Sequence, residues 1–470
     1  MASHRPSSRT GIFLALLILA AGAVPVRAQY GLFFSGAGPI NRSMAGVGMA
    51  TAVDSIGALY WNPASLSGLE RSELAFGTEL IFSQTRLAST LPEGAIEGIL
   101  PRNTLSGSDR SNNSVFPVPS VGLAYQTEDK IWTFGLGIFG VAGFGVNYPA
   151  STTNPILTPQ APNGFGLGSI FSQLQVLEIA PQVSCQLTDH FSVGLGPALD
   201  LALLQLDPAF FAPPDNASGN GFATYPAATH TQDKWGFGLE AGAYYTLDNG
   251  FRLGASLKSP RWFEKFHYSS ADQLGNPRDV YFAVNLPLIA SAGIAYSGIQ
   301  RLLLGIDTHY LDYTNTDGFR ASGFDATGAA RGLGWRSIWA VAVGAQYQLL
   351  ESVSLRLGYS WNQNPIDPNR TSFNVASPLL LQNTLSAGAS YHVTENFSLS
   401  LAYLHFFQNS STGAIISPMG ILPGSSVTSV VSADSIVLGG TVRFGGPSKS
   451  ARSQAVPSQG LVQSPVDSSN

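Results

Sequence analysis

Six ionisable residues lie in apolar stretches of the sequence, alternating with aliphatic, aromatic or small neighbours: Arg252, Lys258, Arg356, Arg443, Glu240 and Asp307. An unpaired charge in an apolar interior is costly, so such side chains either bind a group of opposite charge or pair with one another. For any single one of them we favour pairing, which would hold the shape of the interior. The alternative is that a cation among them binds an anionic group such as a carboxylate.

The other reactive residue types form no recognisable catalytic or metal site. The seven histidines are scattered, no H-x-x-x-H or Cys/His cluster occurs, and the single cysteine, Cys185, cannot form an intrachain disulfide. Nothing in the sequence pairs a nucleophilic serine with a histidine. The run Gly135-x-Gly137-x-x-Gly140 spells a dinucleotide fingerprint, but it lies in strand-like sequence with no βαβ unit. We therefore expect no enzyme, cofactor or metal, and no basic patch indicates nucleic acid.

The elements that position these residues are strands with one apolar face. From Val353 to Trp361 every second residue is apolar and those between are small or charged, and the pattern recurs along the chain. Charged residues make up only 11% of the sequence, against roughly 25% in ordinary soluble domains. Aromatic residues gather at the ends of the segments, as in the interfacial girdles of membrane barrels. The pattern predicts strands that face lipid on one side.

About fourteen such strands can be placed between residues 72 and 444, the first near 72–83, the fourth near 175–187 and the last near 433–444, ending in Phe444. Short turns, such as Asp248-Asn249-Gly250, alternate along the chain with long connections rich in Pro, Asn, Ser and Gly. This alternation is typical of periplasmic turns and extracellular loops. The predicted fold is therefore all-β, a transmembrane antiparallel β-barrel of about 14 strands.

The segments outside the barrel have distinct compositions. Residues 1–28 read as a signal peptide, with basic residues, an apolar run and a small-residue cleavage site ending at Ala28. Residues 29–71 include a Gly-rich apolar stretch, too Gly-rich for a confident helix, which we interpret as a plug inside the barrel of residues 72–444. Residues 445–470 are rich in Ser, Pro, Gln and Gly and are predicted to be a disordered tail.

The chain resembles the FadL/TodX family of outer-membrane transporters for long-chain fatty acids and hydrocarbons. The resemblance starts at Asn62-Pro63-Ala64, which is similar to the NPA motif of the family's N-terminal hatch. It continues through the glycine-rich run 134–148, similar to the family's third strand, and through the late strands to Phe444. The tail beyond Phe444 departs from the family pattern.

The resemblance implies passive uptake of hydrophobic molecules through the bacterial outer membrane, and we expect the barrel to be a monomer. Ligand would enter an apolar groove of extracellular loops, pass a lumen site and the hatch, and leave sideways at a kink in the third strand. Glycine inside a strand often marks such a bend. Gly140, Gly143 and Gly145 are therefore the candidate residues for the kink. Candidate ligand contacts are two cations for a headgroup and five loop aromatics: Arg252, Arg356, Phe210, Phe211, Trp262, Phe263 and Phe266.

Several readings of these residues stay open. The aromatics could instead only pack the loops together. The ligand is predicted to be a long-chain fatty acid, with an aromatic or alkane hydrocarbon as the alternative. A structural or adhesin barrel is a further alternative, whereas the low charge and the plug argue against a hydrophilic porin. The expected partners are a hydrophobic small molecule and outer-membrane lipid.

Overall fold

The computed structural model describes residues 30–96, 98 and 100–445. The predicted signal peptide and nearly all of the predicted tail lie outside the described residues. Within them, fourteen antiparallel strands pair in chain order, and the first pairs with the last to close a barrel. The strands, named β1 to β14, are Ser72–Leu91, Phe116–Gln126, Trp132–Tyr148, Ile170–Gln186, Phe191–Asp207, Gln232–Thr246, Phe251–Lys258, Ile289–Ile299, Leu302–Leu311, Ile338–Leu350, Val353–Asn362, Asn383–His392, Phe397–Gly413 and Ser426–Phe444.

Alternation along each strand separates two faces, as the sequence predicted. In β13, Leu399, Leu401 and Tyr403 point outward and are about half exposed, whereas Ser398, Ser400 and Ala402 point inward and are buried. An outward row of large apolar side chains fits a lipid surface, and small inward residues leave room inside the barrel. The closed cylinder also leaves few strand edges unpaired, which hydrocarbon would not tolerate.

The two ends of the barrel differ in their connections. Short turns join β2 to β3, β4 to β5 and β6 to β7 at the end where Ser72 and Phe444 also lie, which we call the short-turn end. Long loops cover the opposite, long-loop end. They carry short strands at Leu105–Arg110, Trp262–Phe263, Phe266–Ala271, Pro277–Phe282, Ile416–Ser417 and Gly420–Ile421, and 3-10 helices at Pro155–Leu157, Tyr313–Asn315 and Pro368–Asn374.

Some strands are longer than the alternation predicted. β1 continues to Leu91 and β14 begins at Ser426, and the two remain paired up to Thr90 and Ser426. β4 likewise begins at Ile170 rather than near residue 175. The added segments have polar residues on the outward face, such as Gln84 and Ser432, so they lack the apolar alternation that marks a lipid-facing strand.

Residues 30–71 lie inside the barrel, and we call this segment the hatch. It contains helix α1 at Pro39–Ser43, helix α2 at Ser55–Trp61 and a 3-10 helix at Pro63–Gly68. The sequence expectation of no confident helix was thus wrong for these short turns, because proline and side-chain caps set their starts. Asp54 accepts a hydrogen bond from the Gly57 N–H at the start of α2. No helix of the described residues is long and apolar enough to cross a membrane.

Candidate functional site

Asn62 joins the hatch to the barrel wall. Its side-chain Nδ2 donates to the carbonyl oxygens of Met49, at 2.9 Å, and Ala243 in β6, at 3.0 Å. Its Oδ1 accepts from the Ala64 N–H at 3.1 Å, which caps the 3-10 helix that begins at Pro63. An amide side chain suits this position because it offers two donors and an acceptor at once. The Asn-Pro-Ala step therefore fixes both the turn and its attachment.

A ring of inward glycines lets the hatch backbone approach the wall. Twelve of the fourteen strands each contribute one glycine at which a Cβ would lie within 3.0 Å of a hatch atom. We call them the glycine belt: Gly77, Gly122, Gly135, Gly194, Gly242, Gly254, Gly293, Gly305, Gly344, Gly358, Gly388 and Gly439. Strand β4 instead donates hydrogen bonds from Gln182 Nε2 to the Leu59 carbonyl and from Ser184 Oγ to the Ala64 carbonyl.

Buried charges add further fixed points between hatch and wall. Arg42 Nε donates to Glu79 Oε2 in β1 at 2.8 Å, and both side chains are buried. Asp307 in β9 accepts from the backbone N–H groups of Gly48, at 2.7 Å, and Met49, at 2.9 Å. Hydrogen bonds to an ionised group are among the stronger ones in proteins, so these contacts hold the hatch in one position.

A second set of buried charges spans strands β4 to β7 beside the hatch. Lys258 Nζ lies 2.7 Å from Glu240 Oε1 and 5.0 Å from the Tyr60 ring centre. Arg261 Nη2 lies 2.8 Å from Glu178 Oε2, and its Nε lies 3.1 Å from Asp200 Oδ2. We call Glu178, Asp200, Glu240, Lys258 and Arg261 the ion cluster. It agrees with pairing as the role of the inward charges Lys258 and Glu240.

A cavity of about 590 Å³ lies among the long loops, and we call it the loop cavity. Of the five predicted loop aromatics, Phe210 lines it, and Tyr225 from the same loop does as well. The rest of its lining comes mainly from loops that the sequence analysis did not single out, including Phe165, Phe324, Phe373 and Ile415. No motif marks these residues, because they come from four different loops that lie far apart in the sequence.

The other predicted aromatics do not line the loop cavity. Phe211 packs on Phe282, with ring centres 4.1 Å apart. Phe266 is fully buried in the core inside the barrel, and Phe263 packs against the same core. Trp262 is 54% exposed and pairs with Phe237 of β6, whose side chain also faces outward. The structure thus separates these residues into core, wall and cavity positions.

The wall is interrupted between β2 and β3 toward the long-loop end. The β2–β3 pairing ends at Ser120 and Phe139, so β3 has no β2 partner from Gly140 onward. The β3–β4 register shifts between Gly140 and Ala142, which marks a β-bulge. The hatch occupies part of the gap, since the Phe34 N–H donates to the Val141 carbonyl at 2.9 Å.

A second cavity, of about 230 Å³, lies in this gap, and we call it the wall cavity. Gly143 and Gly145 line it, whereas Gly140 lies at the register shift beside it. Asn112 and Asn113 also line the cavity. Their segment bridges β1 and β3, because the Ser111 N–H donates to the Thr85 carbonyl and the Asn112 N–H donates to the Asn147 carbonyl, both at 2.8 Å. The cavity is lined by both inward residues, such as Phe406, and outward residues, such as Gln175.

The model of one protein family, described as outer membrane protein transport protein (OMPP1/FadL/TodX), matches residues 21–445. The chain belongs to this family. The 47 kDa outer membrane protein of Pasteurella multocida is 26% identical over 394 residues, which cover 76% of this chain and 82% of that protein. The long-chain fatty acid transport protein of Escherichia coli O6:H1 is 23% identical over 420 residues, covering 79% and 85%.

Solved structures of the family share the fold. The Pseudomonas aeruginosa FadL homologue superposes with a TM-score of 0.64 at 16% identity, covering 88% of this chain and all of that one. The Ralstonia pickettii toluene transporter TbuX gives 0.62 at 19% identity, covering 87% and 99%. The predicted family, the 14-strand barrel with its plug and the outer-membrane location are therefore confirmed. The family's proteins are transport channels rather than enzymes.

In a barrel of this family the short-turn end is periplasmic and the long-loop end extracellular. Arg356 and Arg252 lie toward the periplasmic end, each two residues beyond a glycine of the belt, Gly358 and Gly254. Arg356 donates from Nε to Gln346 at 2.7 Å and from Nη1 to Ser390 at 2.6 Å. Neither arginine lines either cavity. The geometry therefore does not bring the predicted headgroup residues together with Phe210 or the glycines of β3.

Proposed function

We propose that this FadL-family channel takes up hydrophobic small molecules by diffusion, as a monomer and without a cofactor. Ligand enters the loop cavity, passes into the lumen above the hatch, and leaves sideways through the wall cavity as the hatch near Asn62 shifts. The hydrogen bond from Phe34 to Val141 makes the N-terminal end of the hatch part of that exit. Outer-membrane lipid receives the ligand.

The observation that supports this route most directly is the wall cavity. It lies where β3 lacks a β2 partner, and it is lined by residues of both barrel faces. A structural or adhesin barrel would have no use for such a break, because an open strand edge costs unmet hydrogen bonds in hydrocarbon. Uptake through the wall gives the break a function.

Two ligand classes are candidates. A long-chain fatty acid is the expectation from the sequence, and four relatives are named as long-chain fatty acid transport proteins. An uncharged hydrocarbon is favoured by a specific observation, namely that no Lys, Arg or His of the described residues lines either cavity. A carboxylate would meet only neutral groups in the wall cavity, and in the loop cavity it would also face the carboxylate of Asp325.

Gly145 offers a direct test of the exit. A Cβ there would have only one neighbouring atom within 4 Å, the Ser172 carbonyl oxygen at 3.6 Å, so Gly145→Phe can fill the wall cavity with little strain. Uptake of radiolabelled oleate and toluene would be measured in cells that lack their own transporters of this family. We expect Gly145→Phe to reduce uptake at least about tenfold.

Ala255→Phe is the matched control, because Ala255 faces outward on β7 away from both cavities. It should leave uptake near the wild-type rate. Equal uptake by wild type and Gly145→Phe, at equal amounts of folded barrel, would contradict exit through the wall cavity.

A further inference from the structure

The wall cavity combines an apolar body with neutral polar groups. Phe34, Leu379 and Phe406 supply apolar surface from the hatch, an extracellular loop and β13. Ser172, Gln173 and Gln175 of β4 supply a hydroxyl and two side-chain amides. A site with this mixture suits a ligand that is mostly apolar and carries one polar group.

Ser172 is the most informative of the polar residues. It is 1% exposed, it lines the wall cavity, and its Oγ has no hydrogen-bond partner among the described residues. A buried hydroxyl without a partner loses its hydration and gains nothing in return. A ligand group that can accept or donate one hydrogen bond would satisfy it.

The polar group that fits is uncharged. The buried cations Arg42, Lys258 and Arg261 each already contact a carboxylate of the wall. An ionised ligand headgroup at Ser172 would therefore be a desolvated charge held only by neutral hydroxyl and amide groups, which is unfavourable. A fully apolar ligand would leave the hydroxyl unpaired. An alcohol, a phenol or a carbonyl compound avoids both penalties.

We propose that the wall cavity selects neutral amphiphiles, in which an aliphatic or aromatic body carries one uncharged hydrogen-bonding group that binds Ser172. This inference rests on the proposed uptake function and narrows its ligand class. It distinguishes the chain's ligand from both an ionised fatty acid and a plain hydrocarbon.

The test is equilibrium binding of radiolabelled 1-octanol, octane and octanoate at pH 8 to the purified, detergent-folded barrel, corrected for uptake by protein-free micelles. The three probes have equal chain length and differ only in the terminal group. We expect 1-octanol to bind about fivefold more tightly than octane, the ratio that one neutral hydrogen bond gives, and octanoate to bind more weakly than 1-octanol.

Variants tie the preference to the hydroxyl. Ser172→Ala should bind 1-octanol and octane equally, and Ser172→Thr, which retains a hydroxyl, should keep the preference. Ser429→Ala is the control, because Ser429 Oγ in β14 is likewise buried without a partner among the described residues but lines neither cavity. It should behave as wild type.

Three results would overturn the proposal. Octane or octanoate binding as tightly as 1-octanol would remove the neutral-amphiphile preference while leaving uptake intact. If Ser172→Ala still binds 1-octanol more tightly than octane, another residue makes the polar contact. Binding of none of the three probes would count against the uptake function itself, and the proposal would fail with it.

Discussion

The side-chain amide of Asn62 reaches out of the hatch and donates a hydrogen bond to the Ala243 carbonyl of β6, 3.0 Å away. The approach is possible because Gly242 has no Cβ; one placed there would lie 2.0 Å from Asn62 Oδ1. The Asn62 amide and the space left by Gly242 thus connect the hatch to the wall, and we call this connection the joint. Any movement of the hatch during transport has to break it.

Removing that joint should loosen the hatch. Asn62→Ala loses two donated hydrogen bonds and the cap of the 3-10 helix, so we expect the free energy of unfolding to fall by about 2–4 kcal/mol. We also expect higher ion conductance of single barrels in planar bilayers. Asn315→Ala, which removes an exposed amide bonded only to Asp312, is the control. Wild-type conductance in Asn62→Ala would show that the joint does not hold the plug.

The glycine belt should tolerate no side chain where the hatch backbone is closest. At Gly254 a Cβ would lie 2.0 Å from the Met49 carbonyl oxygen, and backbone cannot move aside as a flexible side chain can. Gly254→Ala should therefore destabilise the barrel by about 1–3 kcal/mol, as overpacking does. Denaturant unfolding followed by tryptophan fluorescence measures the change. Gly145→Ala, with open space for its methyl group, should change stability little; equal effects at both positions would contradict the close approach.

The ion cluster should depend on its arginine. Arg261→Met leaves Glu178, Asp200 and Glu240 buried with only Lys258 to compensate them, and breaking a buried ion pair typically costs about 3–5 kcal/mol. The melting temperature of the folded barrel is the measurement. Arg320→Gln breaks an exposed ion pair with Asp317, which should cost under about 1 kcal/mol. A melting temperature unchanged by Arg261→Met would mean that the cluster is not held by charge.

The hatch should give the protein a pH dependence at Asp54. Burial, with Glu73 nearby, raises the pKa of Asp54 to about 7, whereas an exposed aspartate ionises near pH 4. Between about pH 4 and 7 the folded state holds a proton that the unfolded chain has released, so this residue's contribution to stability falls as pH rises.

Asp54→Asn replaces the titrating carboxyl group with a neutral amide, which can still cap α2. The stability of the variant relative to wild type should therefore rise from pH 4 to pH 8, measured by denaturant unfolding at each pH. A relative stability that is flat or that falls over this range would rule out a raised pKa at Asp54.

The lipid-facing parts of the fold were predictable because the bilayer imposes a simple rule on each strand. Val353 to Trp361 alternates clearly, and β11 was placed within about a residue of its observed bounds. Outside the bilayer the outward side chains need not be apolar, so the extensions of β1 and β14 were missed. The hatch helices were also missed, because the many glycines of this segment argued against helix although Asp54 and Asn62 provide local caps.

Parts of the candidate site were predictable where one residue type, such as glycine in a strand, itself alters the backbone. The family resemblance and the glycines of β3 together indicated a kink in that strand, and the register of β3 with β4 shifts at Gly140. The loop cavity and Ser172 could not be found this way, since their residues are ordinary ones brought together by long-range packing. Arg261 was missed because it follows the end of β7 and belongs to no alternating pattern.

The glycine belt also constrains the order of biogenesis. Pro39 of α1 rests against Gly77 and Gly439, which are paired across the seam where the first and last strands meet. Because hatch atoms lie directly against a glycine on both of these strands, no side chain separates the hatch from the wall where the barrel closes. We therefore expect the hatch to be in place before the first and last strands pair.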